Sequence, residues 1–212
     1  MVRTSKSLAG TFDPMARGPI KAPQSTPLSG EKAAAGLGAG AGKKLRQALA
    51  RRPQAPQIAR YGPGAPAPDP RGCYLAFYAA VHEGAAAHYS PQERAAWAPE
   101  IEMPELWEER LEALTAFIAT AQGAPIGFLI LGPDGFIDLF YISPAFMGSG
   151  LADRLYESAR LEAKSLGLSQ MSTEASHLAR SFFARHGWQV EARQSVIRAA
   201  TPITNFRMFT DI

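Results

Sequence analysis

Hydrophobic and polar positions divide the chain near residue 57. Residues 1–56 are dominated by Ala, Gly, Pro, Ser and Lys, with EKAAAGLGAGAGKK as the most biased part. Such a composition buries too little apolar area to offset the entropy of ordering the chain. From Gln57 on, apolar residues recur at the spacings of strands and helices. Gln57–Tyr61 predicts a short strand, ended by the breaker-rich GPGAPAPDP. In GCYLAFYAAVHEG the spacing puts Tyr74, Leu75, Phe77, Tyr78 and Val81 on one helical face, and Gly84 can stop the helix. HYSPQERAAW carries the best local signal: Ser90 can cap, Pro91 suits the first helical position and Glu93 completes a capping box. A further amphipathic piece runs from Pro104 to Leu114.

Strand patterns then take over. TAFIATA, PIGFLIL and FIDLFYI are joined by turns at Gln122-Gly123 and GPDG, which predicts an antiparallel meander. A long helix is expected from Leu151 to about Leu166, with Leu151, Leu155, Ala159 and Leu166 on one face and Gly167 at its end. LSQMSTEA reads as a fifth strand, HLARSFFARHG as a short helix stopped by Gly187, and WQVEARQSVIRA and NFRMFTDI as two more strands. This order is α+β around one mixed sheet.

Hydrophobic content of 46% supports a core, and no run reaches the roughly 18 apolar residues of a membrane span. Cys73 is the one cysteine, so there is no disulfide framework and no cysteine-built metal cluster; it reads as a small buried hydrophobe in a reducing cytoplasm. Charge changes the picture more. The net +3 conceals a division: residues 1–60 carry eleven Lys and Arg against two acids, and residues 61–212 carry eleven against seventeen. The chain therefore reads as a basic leader, residues 1–56, ahead of an acidic domain. The leader can be a disordered segment without a specific role, or a targeting or nucleic-acid-contacting arm built on KKLRQALARR. It can also be a start assigned too early, with Met15 or none of the segment genuine.

Candidate chemistry begins at FMGSGLADRL. A helix N-terminus leaves backbone N–H groups unpaired and carries partial positive charge, so phosphate oxygens suit it where no Cβ blocks the approach. Gly148 and Gly150 give that approach, and Ala152 keeps the first turn slim. G-x-G alone also describes an ordinary strand-to-helix turn. The G-x-G-x-x-G pattern is not met, and no Gly-Lys-Ser/Thr is present for a Walker A loop.

LFYISPAFMGSGLADRLYESARLEAKSLG, followed by EASHLARSFFARHGW, resembles the two hallmark motifs of the GNAT superfamily of acyl-CoA-dependent N-acetyltransferases. Ile142 and Pro144 match that family's strand end, Gly150 its glycine and Ala152 its last small residue, while Met147 stands at a basic or amide position. The loop Met147, Gly148, Ser149, Gly150, Leu151 and Ala152 is then the expected pyrophosphate cradle of acetyl-CoA, a co-substrate. Tyr141 and Ile142 are expected to pair with its pantetheine arm through their backbone. Ala179, Phe182, Phe183, Gly187 and Trp188 match the second motif. Many relatives have Tyr at Phe183 and use it to protonate the leaving thiolate, which Phe cannot do. The resemblance covers about residues 57–212 and extends to small bacterial acetyltransferases of the YafP type. It implies an α/β/α fold with one central mixed, mostly antiparallel sheet.

The implied reaction is attack of an amine on a thioester carbonyl. An amine with a lysine-like pKa is neutral in roughly one molecule in 10³ at pH 7, so a positioned base helps. Asp138 is the first candidate: strand alternation puts it with Phe136, Phe140 and Ile142 on one face, against hydrophobic neighbours. Glu174, at the end of the fifth strand, is the second; it can also serve the cap of the next helix. His88 and Tyr89 are expected near the acceptor, or in loop packing. No metal and no membrane is expected. No aromatic–basic interleaving supports nucleic acid as a partner of the domain. A homodimer is compatible with the sequence. A catalytically silent acyl-CoA-binding module is the alternative reading, on the strength of Phe183 and Met147.

Overall fold

The computed structural model describes residues 55–212; the leader expected over residues 1–56 lies outside the described residues except for its last two positions. Seven strands form one sheet in the order β1-β2-β3-β4-β5-β7-β6. They are β1 (Gln57–Tyr61), β2 (Thr115–Ala121), β3 (Ala124–Leu131), β4 (Phe136–Ile142), β5 (Gln170–Ala175), β6 (Gln189–Arg198) and β7 (Thr201–Asp211). The helices are α1 (Pro70–Ala79), α2 (Pro91–Trp97), α3 (Trp107–Glu112), α4 (Leu151–Ser165) and α5 (His177–Arg185). Every pairing is antiparallel except β4 with β5, which α4 connects. Among the described residues no helix is long and apolar enough to cross a membrane.

Each face of the sheet carries its own apolar layer. On one, Tyr74, Phe77 and Val81 from α1 and its continuation, with Trp107 and Leu111 of α3, cover Ile118, Phe128, Ile130 and Leu139. On the other, Leu151, Leu155, Ala159 and Ala163 of α4 join Phe182 and Phe183 of α5 over Phe117, Leu129, Ile137, Met171 and Met208. The stripe on α1 runs through Cys73, Tyr74 and Phe77, and Leu75, expected on it, lies off that line in solvent. Leu166 is likewise 52% exposed: it is the C-cap of α4, past the last turn, and Ala163 takes the place expected for it.

Local chemistry accounts for the element ends. Ser90 Oγ accepts from Glu93 N (3.2 Å) while Glu93 Oε2 accepts from Ser90 N (2.8 Å), the expected capping box. Asp69 caps α1, with Oδ1 accepting from Gly72 N at 2.8 Å. The β6–β7 hairpin turns through Ala199 and Ala200, both at positive φ (44° and 60°). With no Gly or Asn to mark that turn, β7 begins at Thr201, before the Asn205 start expected from the pattern.

Two irregularities shape the middle of the sheet. The parallel ladder between β4 and β5 holds only Phe136↔Ser172 and Ile137↔Thr173, reinforced by Thr173 Oγ1 donating to Ile137 O (3.0 Å); beyond it the strands part. In β4, Ile137 faces Leu131 and Leu139 faces Ile130, so Asp138 is an extra residue in the register, a β-bulge.

Candidate functional site

The bulge corrects the expected face of Asp138. Ile137, Phe140 and Ile142 belong to the α4–α5 layer, Leu139 and Tyr141 to the α1–α3 layer. Simple alternation cannot produce that distribution. Asp138 turns toward α3, where Arg110 Nε donates to its Oδ2 (3.0 Å) and Arg110 Nη2 to its Oδ1 (2.9 Å). Its surroundings are a guanidinium, not the hydrophobic wall expected from the strand pattern.

Glu174 and Asn205 lie on the same face. Met171 and Ala175 of β5, like Phe206 and Met208 of β7, pack under α4 and α5, so Glu174 and Asn205, each next to one of them in its strand, point the other way. Asn205 Nδ2 donates to Glu174 Oε2 at 3.2 Å. Glu174 is exposed, and its Oε1 accepts no hydrogen bond from the described residues. It does not cap α5: Ser176 Oγ does, accepting from Ala179 N at 3.1 Å. Tyr141 packs edge-on against Phe77 (4.8 Å, 83°). Burial pushes its phenol up to about 12, with Arg110 pulling the other way.

The glycine turn follows β4. Gly148 and Gly150 have φ of 75° and 81°, the left-handed region where glycine carries no Cβ penalty. Gly150 precedes α4 with no side-chain cap. Among the described residues the amides of Gly148 and of Gly150 through Asp153 find no acceptor. A Cβ on either glycine would meet no protein atom within 4 Å, so the space above those amides is open. Unpaired donors under open space fit a diphosphate.

The remaining loop residues divide by role. Ser149 is exposed but engaged within the turn, its N and Oγ both donating to Phe146 O (3.3 and 2.7 Å). Leu151 is buried beneath α4, leaving only its amide for a ligand, and Ala152 lines the same layer. Met147 reaches across to the turn after α1, its Cε close enough to Gly84 to leave no room for a Cβ there. Ile142 closes the strand from the α4 side. Phe183 is 1% exposed, against Trp188 at 4.5 Å and Phe140 at 6.0 Å. The aromatic cluster encloses its ring, which leaves no face of it open to a cofactor.

Tyr89 is also corrected. Its hydroxyl donates to Thr204 O (2.8 Å) and accepts from His177 N (3.0 Å), so the buried side chain ties β7 to the start of α5 and has nothing left for a substrate. His88 is exposed and parallel to His177 (6.2 Å, 16°). Burial, then His88, Arg193 and Arg180, hold the His177 imidazole below its ordinary range, with Glu93 opposing. Among the described residues no group of three or more His, Cys, Asp or Glu is placed to hold a metal ion.

Arg110 and Asn205 escaped the sequence reading. Arg110 sits in a charged helical stretch, EER, that reads as solvated surface. Asn205 reads as the first residue of a strand, with nothing local to mark it. Only the sheet register brings them to Asp138 and Glu174.

Comparison with known proteins gives this geometry a context. The family profile described as "Acetyltransferase (GNAT) domain" matches residues 85–209. The chain is 33% identical over 152 residues to the uncharacterized N-acetyltransferase YafP of Escherichia coli K12, covering 72% of this chain and 93% of that protein. A GCN5-related N-acetyltransferase from Rhodopseudomonas palustris superposes with a TM-score of 0.67 at 28% identity, over 76% of this chain and 98% of its own. The PaiA N-acetyltransferase of Thermoplasma acidophilum, solved with coenzyme A, shares the fold at a TM-score of 0.55 and 16% identity, over 74% and 99% of the two chains.

Proposed function

The chain belongs to the GNAT acetyltransferase family and is an acetyl-CoA-dependent N-acetyltransferase, and from that premise we propose that Glu174 is its general base and the Gly148–Ala152 turn its pyrophosphate cradle. The carrying observation is the divided sheet. The β4–β5 ladder ends at Ile137 and Thr173, and past that point come the unpaired edge of β4, the unpaired amides at the start of α4 and the exposed carboxylate of Glu174 near the end of β5. The backbone of Tyr141 and Ile142 offers an edge for an extended pantetheine, as an added strand would pair.

Acetyl-CoA supplies the activated acyl group; the chain's residues hold and orient the rest. Glu174 has one oxygen free of donors among the described residues and can accept the amine's proton directly or through water. Asp138 has both oxygens engaged by Arg110, so accepting a proton would require breaking that pair. It is assigned to anchoring α3, which reverses the order expected from the strand pattern. With Phe183 carrying no acidic proton, the thiolate leaves ionised and takes its proton from water. His88, on the exposed rim, contacts the acceptor, a small amine or an exposed amino group. The buried, unpaired Cys73 suits a reducing cytoplasm. Family membership does not favour a silent acyl-CoA-binding module.

The test is thiol release from acetyl-CoA with ethylamine, benzylamine, spermidine and lysine methyl ester, together with thermal shift. Acetyl-CoA is expected to raise the melting temperature where ATP does not. Glu174→Gln is expected to lower kcat by about 10² or more without weakening acetyl-CoA binding. No release above hydrolysis with any amine would overturn the reading, as would a shift by ATP alone.

A further inference from the structure

Phe206 of β7 is the floor of a cationic cluster. Its ring belongs to the α4–α5 layer, and Arg193, its partner across the β6–β7 ladder, stands beside it on that face. The Arg180 guanidinium lies over the ring, 4.7 Å from its centroid. His177 meets the ring edge-on (5.0 Å, 78°), and His88, from the loop between α1 and α2, lies parallel to His177 (6.2 Å, 16°). The loop, α5 and β6 thus bring two guanidiniums and two imidazoles to one place. Among the described residues none of the four side chains is in an ion pair. Glu93 of α2 opposes them, but its Oε2 is held by Ser90 N in the capping box (2.8 Å). The excess of positive charge is felt inside the cluster: after burial, His88, Arg193 and Arg180 are what hold the His177 imidazole below its ordinary range. Residues 61–212 carry eleven Lys and Arg against seventeen acids, so cations gathered without a counter-charge run against the character of the domain.

We propose that Arg180, Arg193, His88 and His177 form a binding site for a phosphate group, apart from the diphosphate cradle. Two planar guanidinium forks and two ring N–H donors suit a tetrahedral dianion with several acceptor oxygens. None of the four belongs to the Gly148–Ala152 turn, and only His88, on the acceptor rim, has a part in acetyl transfer. A phosphate seated here bridges the α1–α2 loop to α5 and β6 and supplies the missing counter-charge. With it in place His177 holds a proton more readily. By linkage the anion binds more tightly as pH falls through the His177 midpoint. The groups that face His177 are His88 from the loop, Arg193 from β6, Arg180 on its own helix, Glu93 from α2 and the Tyr89 hydroxyl, which accepts from its backbone N.

The test follows the His88 and His177 ring signals of the full chain by nuclear magnetic resonance at constant ionic strength. Chloride is replaced by inorganic phosphate, or by sulfate, which keeps its two charges where phosphate begins to take up a proton. Both rings are expected to respond saturably to either dianion, the His177 midpoint to move upward, and sulfate to bind more tightly near pH 6 than near pH 8. Arg180 and Arg193 are exposed, so Arg180→Gln with Arg193→Gln is expected to melt within a few degrees of the wild type while phosphate binding weakens by about tenfold or more. A wild-type response that grows without saturating overturns the inference, whatever the variant does. So does a response unchanged in a folded double variant. Displacement of phosphate by saturating coenzyme A also overturns it, because the cluster would then serve the coenzyme's own phosphates. None of these readings uses amine acetylation, so failure of the amine panel and failure of this site are told apart.

Discussion

Asp138 and Glu174 are carboxylates on one face of the sheet, and their neighbours give them different work. The Arg110–Asp138 pair is about a quarter exposed (31% and 23%), so solvent weakens it, and Asp138→Asn should cost about 1 kcal/mol. That is a fall in melting temperature of roughly 2–4 °C for a domain of this size, with kcat within a few-fold of wild type. Glu174→Gln should show the reverse: lost turnover, unchanged melting. Gly150→Ala separates binding from folding. The new Cβ meets no protein atom, so beyond about 1–2 kcal/mol of left-handed backbone strain its effect should appear as weaker acetyl-CoA binding, measured by calorimetry. His177 sets a pH dependence. Its folded pKa lies below the ordinary value because of burial, His88, Arg193 and Arg180. The unfolded chain, titrating near ~6.5, therefore binds the proton first. Stability is full above that pH and is lost as pH falls through the folded value. The urea midpoint should drop between pH 7 and 5, and His177→Phe should flatten that drop.

At the scale of elements, two substitutions test the accounts given for turn and cap. The β6–β7 hairpin holds two alanines at positive φ, where Asn-Gly is the preferred pair. Ala199→Asn with Ala200→Gly should raise stability by ~1 kcal/mol, read as a higher melting temperature. Ser90→Ala removes an observed cap and should lower stability by about 1 kcal/mol. These elements also show what was legible in advance. Ser90, Pro91 and Glu93 announce their helix because the capping box is local. Gly148 and Gly150 announce their turn because left-handed backbone has a preferred residue. The face of Asp138 was hidden, because a bulge depends on how β3 registers against β4. The bond of the Tyr89 hydroxyl to Thr204, 115 positions away, and the meeting of Asn205 with Glu174 have no local sign at all.

For the molecule as a whole, the apolar layers of the described residues draw on residues 58–212, and the family match lies inside that span. A chain trimmed to residues 55–212 should melt within a few degrees of the full chain and bind acetyl-CoA equally well, which calorimetry can check. The α/β/α layering followed from element order and resemblance, since both depend on the period of the apolar residues. The opening between β4 and β5 did not, since it is an absence of pairing.

That opening has a mechanical consequence. Only two ladder pairs and the Thr173 Oγ1–Ile137 O bond join β4 to β5, which leaves the sheet a crease beyond Ile137. A thioester arm lying in the crease would act as a zip, exchanging a hinge for a continuous surface. Hydrogen–deuterium exchange should find the amides of Phe140 and Ile142, which point away from β3 in the antiparallel ladder, fast in the apoprotein and slow once acetyl-CoA is added, with the outer strands β1 and β6 indifferent.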